Sequence, residues 1–350
     1  MNQTISLGSR RLGSGQPCFI AAEIGINHNG DMKLARAMID AAADAGADAV
    51  KFQNYRTENM VIDRKQTYQY ISRGRPVKES QFEMFKRCEL KPGQLAELCD
   101  YAGRKKIMCF STPMDEAGVA ECVEAGCPLL KNGSDCLGHL PLISAMARTG
   151  LPTVLSTGMA THDEISDAVQ TFRRAGGLDL ILLVCTSSYP TPPVDVHLRK
   201  IPALATACNC LAGFSDHTAG NIAALGAVAL GAVFIEKHFT TSRNLPGPDH
   251  SFSSTPSELA QLVGGVRELE AALGSPVLEP STAEARGRLR YRLSCAARSN
   301  FPAGHRLAVS DILFLRPGTG LPPKHRDQIV GKVLKRSVRA GTVFASADFT

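Results

Sequence analysis

A (β/α)8 barrel followed by a small β-rich domain is the architecture this sequence predicts. Eight short apolar runs with β character recur through the first part of the chain, stretches with helical apolar spacing separate them, and chemically active side chains gather where the runs end. The first run, Phe19–Glu23, precedes apolar positions at helical spacing from Met32 to Ala45. Ala49–Gln53 follows, and Leu95 to Ala102 reads as a helix before the third run, Met108–Thr112. Leu129–Ser134 and Thr153–Thr157 are the fourth and fifth, with a helix from Ile165 to Phe172 leading to Ile181–Ser187. Leu211–His217, a helix from Ile222 to Leu230, and Val233–His238 complete the set, and Leu259 to Leu273 reads as a closing helix. Strand and helix alternate, as a parallel sheet requires, because each return to a parallel strand needs a crossover.

The pattern stops at Gly274-Ser-Pro-Val-Leu-Glu-Pro-Ser-Thr282, whose Pro and Ser content marks a boundary. We therefore expect a barrel over residues 1–276, a linker over 277–288 and a second domain over 289–350. Leu293–Ala297, Ile312–Leu315 and Val343–Ala345 are β-like pieces, separated by turns at Pro302-Ala-Gly304, Pro317-Gly-Thr-Gly320 and Ala340-Gly341. A module of about 60 residues is marginal alone and is expected to pack on a barrel.

Composition fits an enzyme. With 350 residues, 44% hydrophobic and 21% charged, the chain can bury one large core and carry a further small domain. No apolar run approaches the roughly 20 residues needed to span a bilayer, so no membrane association is expected. The start, Met-Asn-Gln-Thr-Ile-Ser-Leu, lacks the features of a secretory signal, which predicts a cytoplasmic location. Eleven cysteines without paired spacing agree, and they read as small buried hydrophobes. Cys208 and Cys210 are too close together for a usual zinc pair. A net charge of +6, no Trp and six Tyr argue against nucleic acid and suit a small anionic substrate.

The ends of the runs hold Glu23, Lys51, Gln53, Ser111, Thr112, Lys131, Ser134, Ser156, Thr157, Thr186, Ser187, Ser215, Asp216, His217, Glu236, Lys237 and His238. One such Ser or Thr is ordinarily a helix cap or a satisfied turn hydroxyl. Charged and metal-competent groups at almost every strand end of one barrel instead converge on one mouth, where barrel active sites lie. His217 and His238 end adjacent strands, so two imidazoles can reach one ion and leave positions for water or substrate oxygen.

An ordered set of motifs carries a family resemblance. Ala22-Glu-Ile-Gly-Ile-Asn-His-Asn-Gly30, Val50-Lys-Phe-Gln53, Phe110-Ser-Thr-Pro113, Leu155-Ser-Thr-Gly-Met159, Tyr189-Pro-Thr-Pro192, Gly213-Phe-Ser-Asp-His217, Glu236-Lys-His-Phe239 and Gly247-Pro-Asp-His250 resemble the sialic acid synthase family. Arg292-Leu-Ser-Cys-Ala-Ala-Arg298, Pro302-Ala-Gly304 and Leu315-Arg-Pro-Gly-Thr-Gly320 resemble the antifreeze-like (SAF) domain that ends these synthases. The match covers almost the whole chain in order.

The resemblance implies condensation of phosphoenolpyruvate with the open-chain aldehyde of an N-acetylated hexosamine, such as N-acetylmannosamine or a 6-deoxy diacetamido analogue. The products would be a nine-carbon 2-keto acid and phosphate. By similarity, Lys51, Thr112, Lys131, Ser134, Ser156, Ser187, Tyr189 and Ser215 bind phosphoenolpyruvate, whose phosphate and carboxylate need cations and hydroxyl donors. His217 and His238 match the family's metal ligands, with manganese expected and magnesium or cobalt as alternatives, and a divalent ion would polarise the aldehyde. Glu236 is expected to orient a water at that ion. Glu23 is expected to handle the water or aldehyde proton, ionised beside a metal and two lysines and so better suited as base than acid. Gln53, Asp249 and Arg316 are the sugar-binding candidates, Arg316 through a swapped homodimer in which the SAF domain caps the partner's barrel.

One departure bears on the sugar. In Lys131-Asn-Gly-Ser-Asp-Cys136 the position two after the serine, acidic in the family, is Cys136, with Asp135 expected to point elsewhere. A thiol is no substitute for a charged acceptor. Competing readings are a metal-dependent barrel aldolase, a 3-deoxy keto acid synthase acting on a sugar phosphate, or a non-catalytic carbohydrate-binding protein. The tail argues against the first two and the barrel mouth against the third.

Overall fold

In the computed structural model, which describes residues 4–350, the eight expected strands are present and all are parallel. They are β1 (Phe19–Gly25), β2 (Ala49–Asn54), β3 (Met108–Pro113), β4 (Leu130–Asn132), β5 (Thr153–Ser156), β6 (Leu180–Cys185), β7 (Leu211–Asp216) and β8 (Phe234–His238). They pair in sequence order and close, β8 against β1. Nearly every strand residue is buried, because helices cover the outside and packed side chains fill the inside. The covering helices are α1 (Met32–Asp44), α2 (Gln94–Arg104), α3 (Glu116–Glu124), α4 (Leu140–Arg148), α5 (His162–Arg174), α6 (Lys200–Cys208), α7 (Ile222–Ala229) and α8 (Pro256–Leu273). Local chemistry fixes where they start. Asp31 accepts from the amides of Lys33 and Leu34 to cap α1, and reciprocal capping boxes Thr161/Glu164 and Thr255/Glu258 open α5 and α8.

Register places the strand-end side chains next to one another. Glu23 stands opposite Lys51 across β1 and β2, His238 opposite Glu23 across β8 and β1, and Ser215 opposite Glu236 across β7 and β8. Close packing between β7 and its neighbours depends on Gly213. A methyl group there would collide with the carbonyl oxygen of Phe234 and lie 2.7 Å from Leu183 Cδ2. Gly213→Ala is therefore expected to destabilise the fold by about 1–3 kcal/mol through overpacking. A urea midpoint equal to that of the unsubstituted protein would show that the strands can part without cost.

Two features were not anticipated. An antiparallel hairpin, Thr4–Leu7 with Arg10–Gly13, precedes the barrel and sends Ile5, Leu7 and Leu12 into the main core. Between β2 and α2 the chain makes a one-turn helix (Thr57–Met60), a second hairpin (Thr67–Ser72 with Arg75–Ser80) and a two-turn helix (Gln81–Cys88). The fourth strand is also shorter than the run Leu129–Ser134: it ends at Asn132, and Ser134–Cys136 form a 3-10 turn. None of the described helices is long and apolar enough to cross a membrane.

The chain divides into two compact units at Gly274 and Ser275. In the second unit a helix covers Thr282–Tyr291, and Ser294–Ala297 pairs antiparallel with Ile312–Leu315. Val343 contributes only a single bridge, to Ala296. This unit has its own core, built around Cys295, Leu307, Ile312, Leu334 and Phe344.

Candidate active site

Period-two alternation decides which strand-end groups face inward. On β8, Glu236 and His238 line a cavity of about 340 Å³ at the carboxyl end of the barrel, and on β7 and just beyond it Ser215 and His217 do the same. The residues between them point the other way: Lys237 Nζ lies 2.7 Å from Asp216 Oδ2, and both are buried behind the cavity. The cavity also takes in Glu23, Lys51, Gln53, Thr112, Lys131, Ser134, Ser156, Ser187, Tyr189 and Asp249. The remaining sugar-binding candidate, Arg316, belongs to the second unit, where its guanidinium lies 5.6 Å from the ring of Tyr291.

Two buried lysines and two buried carboxyls form the floor. Lys51 Nζ is 2.9 Å from Glu23 Oε2 and donates to Thr112 Oγ1 at 2.9 Å. Lys131 Nζ donates to Ser156 Oγ at 2.8 Å and to the Asn132 carbonyl at 3.1 Å. Glu236 sits between them, its Oε2 3.8 Å from Lys51 Nζ and 3.7 Å from Lys131 Nζ, while its Oε1 accepts from Ser215 Oγ at 3.1 Å. Glu236 Oε2 is buried with no donor at hydrogen-bond distance, the two lysines standing just beyond it. A buried acceptor without a donor is costly, and this one faces the floor of the cavity.

The environment separates the two carboxyls. Burial pushes Glu23 above the usual carboxylate range; Lys51 opposes this and Glu236 adds to it. Burial would also raise Glu236, but Lys131, Lys51 and His217 outweigh it and hold that carboxyl below the usual range. Burial is thus the largest influence on the Glu23 carboxyl, ahead of the attraction of Lys51. Burial also lowers Lys131, with Lys51 adding repulsion, whereas Glu23 and Glu236 overcome the burial of Lys51 and hold it above its ordinary value.

Beside the floor, the rings of His217 and His238 lie 5.3 Å apart, and Tyr189 packs against both at 4.2 Å and 5.7 Å. His217 Nδ1 donates to the Thr186 carbonyl at 2.8 Å, which in the neutral ring puts the electron pair on Nε2, 3.4 Å from Ser215 Oγ. His238 Nδ1 is buried without a partner, with Asp249 Oδ2 4.0 Å away. Burial, then His217 and the lysines, drives His238 well below its ordinary value, and burial raises Asp249 to about 7. His217 is held above its ordinary value, because Cys185 and the Thr186 carbonyl outweigh its burial. Two imidazoles facing one cavity, one with an orphaned nitrogen, fit a cation that takes most of its ligands from oxygen. Among the described residues no cluster of three His, Cys, Asp or Glu side chains could hold an ion.

The reading of Cys136 also changes. Its thiol packs against Met114 Sδ at 3.7 Å, while the Asp135 side chain is the one that lines the cavity. Because the chain leaves β4 for a 3-10 turn, strand parity no longer governs residues 134–136. An acidic residue therefore lines the cavity one position before Cys136, where none was expected. Met60, Tyr68, Met84 and Phe85, all from the segment between β2 and α2, also line the cavity and were not foreseen. Their one sequence signal is the helical apolar spacing of Phe82, Phe85 and Cys88.

Comparison with known proteins gives a consistent picture. The sequence matches the NeuB family over residues 38–277 and the SAF domain over residues 294–350. It is 37% identical to the N,N'-diacetyllegionaminic acid synthase of Legionella pneumophila, covering 96% of this chain and 95% of that one. It is 32% identical to the pseudaminic acid synthase of Helicobacter pylori, covering 95% and 98%. The fold superimposes on the crystal structure of the N-acetylneuraminic acid (sialic acid) synthetase from Leptospira borgpetersenii with a TM-score of 0.75, at 37% identity, over 82% of this chain and 95% of that chain.

Proposed function

This chain belongs to the NeuB family, and we propose that it condenses phosphoenolpyruvate with the open-chain aldehyde of an N-acetylated hexosamine to a nine-carbon 2-keto acid and phosphate. The observation that carries this reading is the floor on which Lys51 and Lys131 sit beside Glu23 and Glu236. Two buried ammonium groups and the hydroxyls of Thr112, Ser156 and Ser215 suit the phosphate and carboxylate of phosphoenolpyruvate. Ser134, Ser187 and Tyr189 complete the rim of that subsite.

The C3 carbon of phosphoenolpyruvate attacks the aldehyde carbon, a C–C bond forms, and positive charge develops at C2. Ionised Glu236, held below the usual carboxylate range, stabilises that charge. Water adds at C2 and phosphate departs by cleavage of its bond to that carbon. Glu23 handles the proton of the water or the aldehyde oxygen, which its raised pKa suits. Gln53 and Asp249 hold the hexosamine. His217 and His238 would hold a divalent ion, manganese first, which supplies polarisation of the aldehyde oxygen. By resemblance to the family, the SAF domain closes the barrel of a partner subunit in a homodimer and Arg316 meets the acyl group of the sugar. A cytoplasmic location accords with the eleven free cysteines.

Phosphate release from phosphoenolpyruvate tests the reading. Release should require a hexosamine, stop when a chelator removes divalent ions, and resume with manganese. Release that ignores the hexosamine would mean a phosphatase, and none with any acceptor would end the synthase reading.

A further inference from the structure

Four cysteines meet in the layer between the barrel wall and its helices, and none of them lines the cavity. Alternation along β3 sends Thr112 into the cavity and Cys109 outward, toward α2 and α3. Cys99 stands on α2, Cys122 on α3, and Cys127 in the turn between α3 and β4. Cys99 Sγ lies 3.9 Å from Cys127 Sγ and 3.9 Å from the Cys109 carbonyl oxygen, and Cys122 Sγ donates to Asn54 Oδ1 at 3.4 Å. All four carry free thiols. Cys109, Cys122 and Cys127 are buried in the main core, whereas Cys99 is half-buried and reaches the surface.

Two thiols in contact, one of them open to solvent, have a chemistry that a buried single thiol lacks. We propose that Cys99 and Cys127 form a reversible disulfide site, oxidised by a small disulfide such as oxidised glutathione and restored by free thiols. The Cys99 thiolate attacks one sulfur of the small disulfide, a bond forms to Cys99, and the other half leaves as a thiolate. Cys127 then gives its proton to that thiolate and attacks the Cys99 sulfur, releasing the second half. Two protein thiols have lost two electrons and two protons, and one small disulfide has become two thiols. Burial keeps Cys127 from the reagent but not from Cys99, which fixes the order of attack. Hydrogen bonds from the Cys109 and Cys127 thiols draw Cys99 below its ordinary value against its burial, while those to Cys122 and Cys99, with burial, hold Cys127 above its own. The sulfurs must approach by about 1.9 Å to reach bonding distance, and Cys127, which belongs to neither helix nor strand, lies in a turn that can supply the movement. The bond ties α2 to the turn that leads into β4, and it constrains the unfolded chain between the two positions. In a reducing compartment the pair stays as thiols, so the tie forms only when the surroundings turn oxidising.

The test incubates the full chain with oxidised glutathione, alkylates the remaining thiols in denaturant, and maps the linkages by mass spectrometry after digestion. The expected result is a peptide pair joined through Cys99 and Cys127 that dithiothreitol separates, together with a urea midpoint raised by about 0.5–1 M. Cys99→Ser should lose both the linkage and the rise, and serine at that half-buried position can still donate to the Cys109 carbonyl. Cys127→Ala should give the same loss from the other side. No linkage, a linkage through any other pair, or glutathione that stays on Cys99 without passing to Cys127 would overturn the site. A Cys99–Cys127 bond that leaves the midpoint unchanged or lowers it, or a rise that persists in either variant, would overturn the tie. The outcome is independent of the synthase reading, because neither residue lines the cavity.

Discussion

Replacing Glu23 by Gln is expected to lower kcat for hexosamine-dependent phosphate release by about 10²–10⁴-fold, the range for loss of a positioned proton carrier. The substitution preserves shape. Glu23 Oε1 now accepts from Gln53 Nε2 at 3.0 Å, and the oxygen of an amide can accept the same bond. What disappears is the ability to hold or release a proton and the charge 2.9 Å from Lys51. Lys51 keeps its bond to Thr112 and its approach to Glu236, so phosphoenolpyruvate KM should move far less than kcat. The pH profile separates this role from a structural one. Burial places the Glu23 limb above the usual carboxylate range and the lysines place that of Glu236 below it, so Glu23→Gln should erase the higher limb and leave the lower. The sign for stability is the reverse of the common acidic case. A carboxyl raised by folding stabilises the fold below its unfolded pKa and loses that contribution as pH rises through its folded pKa. Activity within threefold of the parent, with the pH profile unchanged, would remove Glu23 from proton handling.

The same pair shows where sequence reasoning held and where it ran out. The barrel was legible because its strands are short runs buried on both faces, and because helical spacing between them leaves no other way to return in parallel. Ser215, His217, Glu236 and His238 were singled out by the family resemblance, and alternation along β7 and β8 explains why these and not Asp216 and Lys237 line the cavity. Alternation fails where a strand stops. Three-residue β4 gives way to a 3-10 turn, and that is why Asp135 rather than Cys136 lines the cavity. The segment from Thr57 to Cys88 was illegible for a different reason. Its hairpin is mostly exposed and polar, so it lacks the alternation that marks a half-buried strand. Yet it supplies Met60, Tyr68, Gln81, Met84 and Phe85 to the cavity lining. For Glu23, a list of neighbours shows the lysines but not the depth of burial, and burial is the largest influence on its carboxyl.

Asp216→Ala is expected to destabilise the protein by about 3–5 kcal/mol, the cost of leaving a buried charge without its partner. Lys237 Nζ lies 2.7 Å from Asp216 Oδ2 and 3.0 Å from the Thr218 carbonyl, and both side chains are almost wholly buried. Asp216 also accepts from the Thr218 amide at 2.8 Å through Oδ1, so its loss frees a second buried donor. The pair faces away from the cavity, but Asp216 lies between Ser215 and His217, and Lys237 between Glu236 and His238. Register sets Asp216 directly opposite Lys237 across β7 and β8, so the ion pair pins the two strands that carry both imidazoles. A double-mutant cycle distinguishes an attraction from two unrelated packing losses. Asp216→Leu with Lys237→Met replaces the pair by apolar groups, and removing both charges together should cost well under the sum of the single substitutions. The measurement is the urea midpoint of each variant at unchanged m-value. Additive costs would mean that the two residues act independently, and the strand-pinning role would then fall to the backbone ladder alone.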